Sequence, residues 1–299
     1  MPLSDEYTYC VAFVCVEDID GSRQPIGTAF LIQASGEEPN THYGYAVTAQ
    51  HVVREGQRTW LRLRRQGFEE GPEDIPVGSW VLHPESDVAI TPCDPHNYRA
   101  NWVCVPMAQF ADTPGATGIR RPVLSDEVWF IGLLTHVPTM HERAIPFVRS
   151  GTLGAWYQRY VPIWDELHQQ TIQEPVAHLI DTHSVGGFSG SPVFVGVPDM
   201  RGGGKISLLG VLIGHFGGPL ASGGSAGVAI VVPVEQVRQL LDLEVIVEDR
   251  QHKDAETRER RTRDRDENAA VQDIAAVPSE FERFEELTRQ LVNTPKPKG

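Results

Sequence analysis

"VGGFSGSPVF", residues 185–194, flanks a serine with glycines and runs at once into a β-prone segment. A plain turn needs one or two small or turn-forming residues, and this stretch holds three glycines, two serines and a proline. It reads as a device that presents Ser189 on a sharply bent backbone, with Pro192 opening the strand that anchors it. A serine hydroxyl is a weak nucleophile until a neighbouring base takes its proton, so the rest of the chain must supply partners.

The surroundings of this stretch are β-rich. From about residue 8 to 235, short apolar runs alternate with Gly, Pro, Asn and Asp clusters. A first set comprises "YCVAFVCV", "GTAFLIQ", "GYAVTA", "TWLRLRR", "SWVLH", "DVAITP" and "NWVCVP"; a second comprises "DEVWFIGLL", "IPFVRSGTLGAW", "AHLID", "SPVFVGV", "ISLLGVLIGHF" and "GVAIVVPV". Their Val, Ile, Phe and Trp content and their turn spacing predict an all-β protein built of two barrels in tandem. The Pro/Gly-rich residues 107–122 form the connection, which gives an N-terminal barrel over 1–112 and a C-terminal barrel over 113–243. "PVEQVRQLLDLE" (233–244) has helical spacing and closes the fold, and "VPIWDELHQQTIQE" (161–174) reads as a short inserted helix.

Residues 244–299 form an appendage. Past residue 247, "EDRQHKDAETRERRTRDRDEN" has almost nothing to bury, which predicts a solvated helix or disorder. In "PSEFERFEELTRQLV", Ser279 and Glu282 form a capping box, and Phe281, Phe284, Leu287 and Leu291 fall along one stripe. So short a helix is marginal alone, so residues 278–292 should dock on this chain, on a second copy or on an activating partner protein.

The formal charge of −14 argues against a nucleic-acid partner. No apolar run is long enough to cross a bilayer, and the acidic start "MPLSDEYTYCVAFVCV" lacks the basic region of a signal peptide and reads as mature protein. Cys10, Cys15, Cys93 and Cys104 have neither CxxC nor metal-finger spacing, and read as buried free thiols of a cytoplasmic, reducing setting. His136 and His141 in "HVPTMHER" lack zinc-helix spacing, so neither a metal nor any other cofactor is expected.

Of eleven histidines, context selects His51 in "GYAVTAQHVV", where an alternating strand ends in small residues and the ring emerges at its end. Asp87 in "HPESDVAI" opens an apolar strand at the edge of a core, a place suited to orienting an imidazole. Taken singly, each residue also fits a bland role as a capping Asp, a core His or a turn Ser.

Together, "TAQHVV", "SDVAI" and "GGFSGSPVF" resemble the three signature segments of the trypsin-like serine peptidases, in that group's chain order His, Asp, Ser. "GTAFLIQ", "RSGTLGAW" and "GVAIVVPVEQV" also resemble segments of its bacterial glutamyl-endopeptidase and HtrA-like members, and the likeness spans residues 8–243. The resemblance implies two six-stranded antiparallel barrels of the chymotrypsin type. It implies that His51 is the general base, Asp87 its orienting partner and Ser189 the nucleophile, with the N–H groups of Gly187 and Ser189 as the oxyanion hole. Gly186 and Gly187 would let the backbone turn so that these donors converge.

Two departures matter. Phe188 stands where secreted members carry an aspartate that pairs with a newly cut N-terminus, so that activation switch is missing. Phe188 either holds the loop by packing or keeps the oxyanion hole collapsed until a partner binds, and the sequence leaves both open. The cysteine pair bracketing the histidine in secreted members is also missing, since Val52 and Val53 follow His51.

By the same resemblance, His183 falls at the base of the specificity pocket, and "GHFGG" (214–218) is similar to the "HWGG" of glutamate-specific members. His183, His215 and Gly217 are therefore the expected substrate-binding residues for Glu, Asp or an uncharged polar residue before the cut. The substrate would be a protein or peptide, and the enzyme is either constitutive or latent until a partner or signal activates it. The main rival is an inactive trypsin-like fold acting as a protein-binding module, although the chain keeps all three signature residues. An α/β-hydrolase is disfavoured, because Ser191 replaces the second glycine of its elbow and Asp199 and His215 lie too close in sequence.

Overall fold

The computed structural model describes residues 3–54, 56–65, 71–98, 100–112, 121–135, 143–165, 170–182, 188–198, 204–216 and 227–275. In the N-terminal half, the apolar runs become β1 (Val11–Glu17), β2 (Arg23–Ser35), β3 (His42–Thr48), β4 (Thr59–Leu63), β5 (Glu73–Val77), β6 (Val81–Leu82), β7 (Ala89–Pro92) and β8 (Val105–Pro106). They form a sheet in the order β5-β4-β1-β2-β3-β7-β6, with β8 joining β2 in parallel. The strand count is eight rather than six because β6 and β8 are two-residue segments.

The C-terminal half comprises β9 (Glu127–Leu133), β10 (Pro146–Asp165), β11 (Gln170–Asp181), β12 (Ser191–Pro198), β13 (Gly204–His215) and β14 (Val228–Pro233). These six strands close into a barrel in the order β10-β11-β14-β13-β12-β9. Helix α1 (Val234–Leu241) follows and buries Val234, Val237, Leu240 and Leu241. The whole is the chymotrypsin-like two-barrel fold with a closing C-terminal helix.

Burial explains the long apolar runs. In β1, Val11 to Cys15 are all buried, and in β2 the buried run extends from Gly27 to Ile32. Alternation gives way to continuous apolarity because one face of these strands lines the first core and the other meets the second barrel. Tyr7, ahead of β1, packs edge-to-face on Phe194 of β12, with ring centroids 4.8 Å apart. All four cysteines are free, three buried and Cys104 half-buried. Burial pushes the thiols of Cys15, Cys93 and Cys104 up to about 12, and that of Cys10 further, which keeps them protonated and unreactive.

Two expectations change. Residues 161–165 and 170–174 are not a helix but the paired ends of β10 and β11, with Val161 opposite Glu174 and Ile163 opposite Ile172. This arm lengthens a barrel hairpin, and β10 twice carries a tyrosine in the left-handed region, Tyr157 at φ 52 and Tyr160 at φ 55. An extra residue between Ala155 and Gln158 marks a bulge at Tyr157, which re-aims the strand.

The charged stretch is ordered as helix α2 (Glu244–Ala275), and its first turns are docked rather than solvated. Ile246 enters the core at 2 % exposure. Asp254, also 2 % exposed, accepts hydrogen bonds from the Glu37 N–H at 2.9 Å and the Tyr43 hydroxyl at 2.7 Å, in the β2–β3 hairpin. Arg258 pairs with Glu38 at 2.8 Å. The capping box and apolar stripe of residues 278–292 lie outside the described residues. No helix among the described residues is long and apolar enough to cross a membrane.

Candidate active site

His51 stands in a single 3-10 turn, Gln50–Val52, at the end of β3, as its small preceding residues suggest. Asp87 lies in the turn two residues before β7, the neighbour of β3 in the sheet, and the β3–β7 pairing brings it towards His51. One Asp87 carboxylate oxygen accepts the His51 backbone N–H at 2.8 Å, and the other meets Nδ1 of the ring at 2.6 Å. A carboxylate held this way fixes both the position of the residue and the tautomer of its ring, with Nδ1 carrying the proton shared with Asp87. The His51 side chain is 48 % exposed and that of Asp87 14 %, so the acid is covered while the ring faces solvent.

Ser189 arrives from the second barrel in a tight turn. The Ser191 N–H donates to the Phe188 carbonyl at 3.0 Å, and Gly190 occupies the third position at φ 87, the requirement of a type II turn. A side chain at Gly190 would press into the Thr28 carbonyl and the Thr48 hydroxyl, so glycine is obligatory there. The Ser189 hydroxyl donates to the Ile213 carbonyl at 3.4 Å, a long bond that is easily exchanged. Ser189 and His51 line one cleft of about 380 Å³, together with Ile26, Val52, Arg54, Gln57 and Thr135.

Phe188 is fully buried, edge-to-face on Phe130 at 5.6 Å, with the Arg149 guanidinium 5.6 Å from its ring centroid. The Phe188 ring thus packs the turn onto the core of the second barrel. His215 sits half-buried at the end of β13, opposite Ala229. His183, Gly186, Gly187 and Gly217 lie outside the described residues, as do His136 and His141.

Sequence reasoning missed the supports of Asp87. His83, 5 % exposed, accepts the N–H groups of Glu85 and Ser86 at Nδ1, at 3.2 and 3.0 Å, and so shapes the turn leading to Asp87. Its Nε2 therefore carries the proton and donates to Gln239 of α1 at 3.0 Å. Burial holds the ring below its ordinary pKa and hence neutral, as both bonds require. Glu174 on the β11 arm accepts the Asp87 N–H at 3.0 Å. Its carboxyl is pushed up to about 7, mainly by burial.

Comparison of the sequence with protein-family models finds no match, and comparison with curated proteins finds none. Among solved structures the chain resembles Deg5, with 16% identity over 78% of this chain and 88% of that one and a TM-score of 0.45. It also resembles the active form of the Rv3671c protease of M. tuberculosis, with 17% identity over 79% and 80% of the two chains and a TM-score of 0.48. A thermostable serine protease, AL20, from an extremophilic microorganism gives 12% identity over 78% and 95%, with a TM-score of 0.45. These likenesses are likenesses of fold.

Proposed function

We infer that this protein is a serine endopeptidase. The observation that carries the reading is the double engagement of His51 by Asp87, through N–H and Nδ1, at a cleft that Ser189 also lines. That arrangement leaves Nε2 as the ring nitrogen able to take a proton. Rotation of the Ser189 hydroxyl away from Ile213 brings it into service. Its oxygen attacks a peptide carbonyl carbon as the proton passes to Nε2 of His51, and Asp87 stabilises the imidazolium. The N–H groups of Gly187 and Ser189 stabilise the oxyanion, the amine leaves with the proton from Nε2, and water repeats the sequence on the acyl-enzyme. Substrates carry Glu, Asp or an uncharged polar residue before the cut, read by His183 and His215, with Gly217 in the wall. The four free thiols fit a reducing, cytoplasmic setting.

The enzyme is either constitutive or held in a latent form until a partner or signal engages the Ser189 hydroxyl with the imidazole. A fluorophosphonate probe tests the whole reading. Wild-type protein should label, and Ser189→Ala should not. Full labelling of Ser189→Ala removes the assignment. Wild-type protein that never labels, alone or with cell extract, supports the alternative of an inactive fold that binds proteins.

A further inference from the structure

We propose that Glu174 is a positioning residue of the His51–Asp87 pair, reaching from the second barrel to hold the Asp87 turn and, through that acid, to adjust the basicity of His51. The proposal deepens the peptidase reading, on which its catalytic consequence rests.

Glu174 is carried across by the β10–β11 arm, whose left-handed Tyr157 and Tyr160 bend it away from ordinary strand geometry. Tyr157 is held in that conformation by His178, which accepts its N–H at 3.2 Å and packs edge-to-face on its ring at 4.8 Å. Strain of this kind persists where the surroundings over-determine it, and here its product is the delivery of one carboxyl.

That carboxyl is a costly choice for a mere prop. Glu174 is 3 % exposed; Oε2 accepts the Asp87 N–H, and Oε1 is enclosed without a hydrogen-bond partner among the described residues. An amide or hydroxyl would accept the same N–H with no charge to desolvate. Instead, a second carboxyl stands behind the one that holds the imidazole. When ionised it adds negative charge on the side where an imidazolium forms, and when protonated it leaves that duty to Asp87 alone.

Among the described residues, the groups facing Glu174 are Ser86 and Asp87, from the turn before β7, while its partner Val161 on β10 is apolar. The Asp87 N–H and the nearby Ser86 hydroxyl favour the charged form, and burial and the Asp87 charge oppose it. Glu174 is hydrogen-bonded to the residue whose carboxylate holds the ring, so a change in its charge acts on His51 through Asp87.

The test follows the His51 ring by NMR across pH in the full-length wild type, Glu174→Gln and Glu174→Ala, alongside the rate of fluorophosphonate labelling of Ser189. Glu174→Gln keeps an oxygen for the Asp87 N–H and removes only the charge. It should lower the His51 midpoint by about half a unit or more and move the pH profile of labelling in the same direction. Glu174→Ala also removes the acceptor and should slow labelling further; if it fails to fold, Glu174→Gln still decides. A purely structural role would slow labelling without moving the midpoint. An unchanged or raised His51 midpoint in Glu174→Gln overturns the proposal. Wild-type protein that labels neither alone nor with cell extract overturns the peptidase reading, and the midpoint still judges Glu174.

Discussion

Thr28 in β2 donates its backbone N–H to the Ser189 carbonyl at 2.9 Å, so the candidate nucleophile is hydrogen-bonded to the barrel that carries His51. The Thr48 hydroxyl donates to the Thr28 carbonyl at 2.7 Å, and the Thr28 hydroxyl accepts the Leu133 N–H at 3.1 Å. Two threonines thus seat a turn of one barrel on the strands of the other.

Gly190→Ala should break that seat. Alanine at φ 87 is strained, and its methyl would also meet the Thr28 carbonyl and Thr48 hydroxyl. Gly21, at φ 80, has open space around it, so Gly21→Ala reports strain alone. Urea unfolding should show about 1 kcal/mol lost for Gly21→Ala and clearly more for Gly190→Ala. Ser189 labelling should fall at least tenfold in the second variant only. Equal effects of the two changes would refute the seating role.

The raised carboxyl of Glu174 has a stability signature. As pH climbs from about 4.5, the ordinary value, to about 7, the unfolded chain releases this proton while the folded chain keeps it. The folded state therefore loses stability with rising pH through that window, relative to a variant without the group. Wild type should lose roughly 1–3 kcal/mol against Glu174→Gln between these limits and run parallel to it above them. Parallel curves throughout would mean that Glu174 ionises normally in the fold.

His178 acts in the opposite direction. Burial at 1 % exposure holds its imidazole down to about 3, against an ordinary 6.5. Between those values the unfolded chain binds a proton that the folded chain refuses, so stability falls as pH falls below 6.5. His178→Gln keeps an acceptor for the Tyr157 N–H and should remove about 2 kcal/mol of the destabilisation seen at pH 5. Denaturant melts at pH 7 and pH 5 measure it.

Asp254→Ala should release α2 from the β2–β3 hairpin. The change leaves the Glu37 N–H and Tyr43 hydroxyl without their acceptor, at a cost of about 1–3 kcal/mol. Hydrogen exchange over residues 244–262 should accelerate at least tenfold, while the strands of the second barrel keep their protection. Unchanged exchange would show that Ile246 and the Arg258–Glu38 pair suffice to dock the helix.

Much of the fold and of the candidate site was legible in local sequence. Runs such as Val11–Cys15 and Ile230–Val232 are β-prone and apolar whatever they pair with, and the glycines and prolines between runs mark turns. His51, Asp87 and Ser189 each sit in a short segment recognisable from its own residues, namely a turn after a strand, a turn before a strand and a glycine-bounded tight turn. The helix expected over 161–174 shows where local preference loses. Within 161–165 and 170–174, pairing of Val161 with Glu174 and of Ile163 with Ile172 overrides the local helical spacing.

What the chain's order alone determined is which segments become strands and which three side chains stand at their ends, because β-propensity and turn chemistry act over a few residues. What only the tertiary structure decided is the support of those side chains. Glu174 reaches Asp87 across 87 positions, His83 reaches Gln239 across 156 and Asp254 reaches Glu37 across 217. Such partnerships depend on strand register, on the bends at Tyr157 and Tyr160 and on exclusion of water, and none of these exists until the barrels have closed on each other.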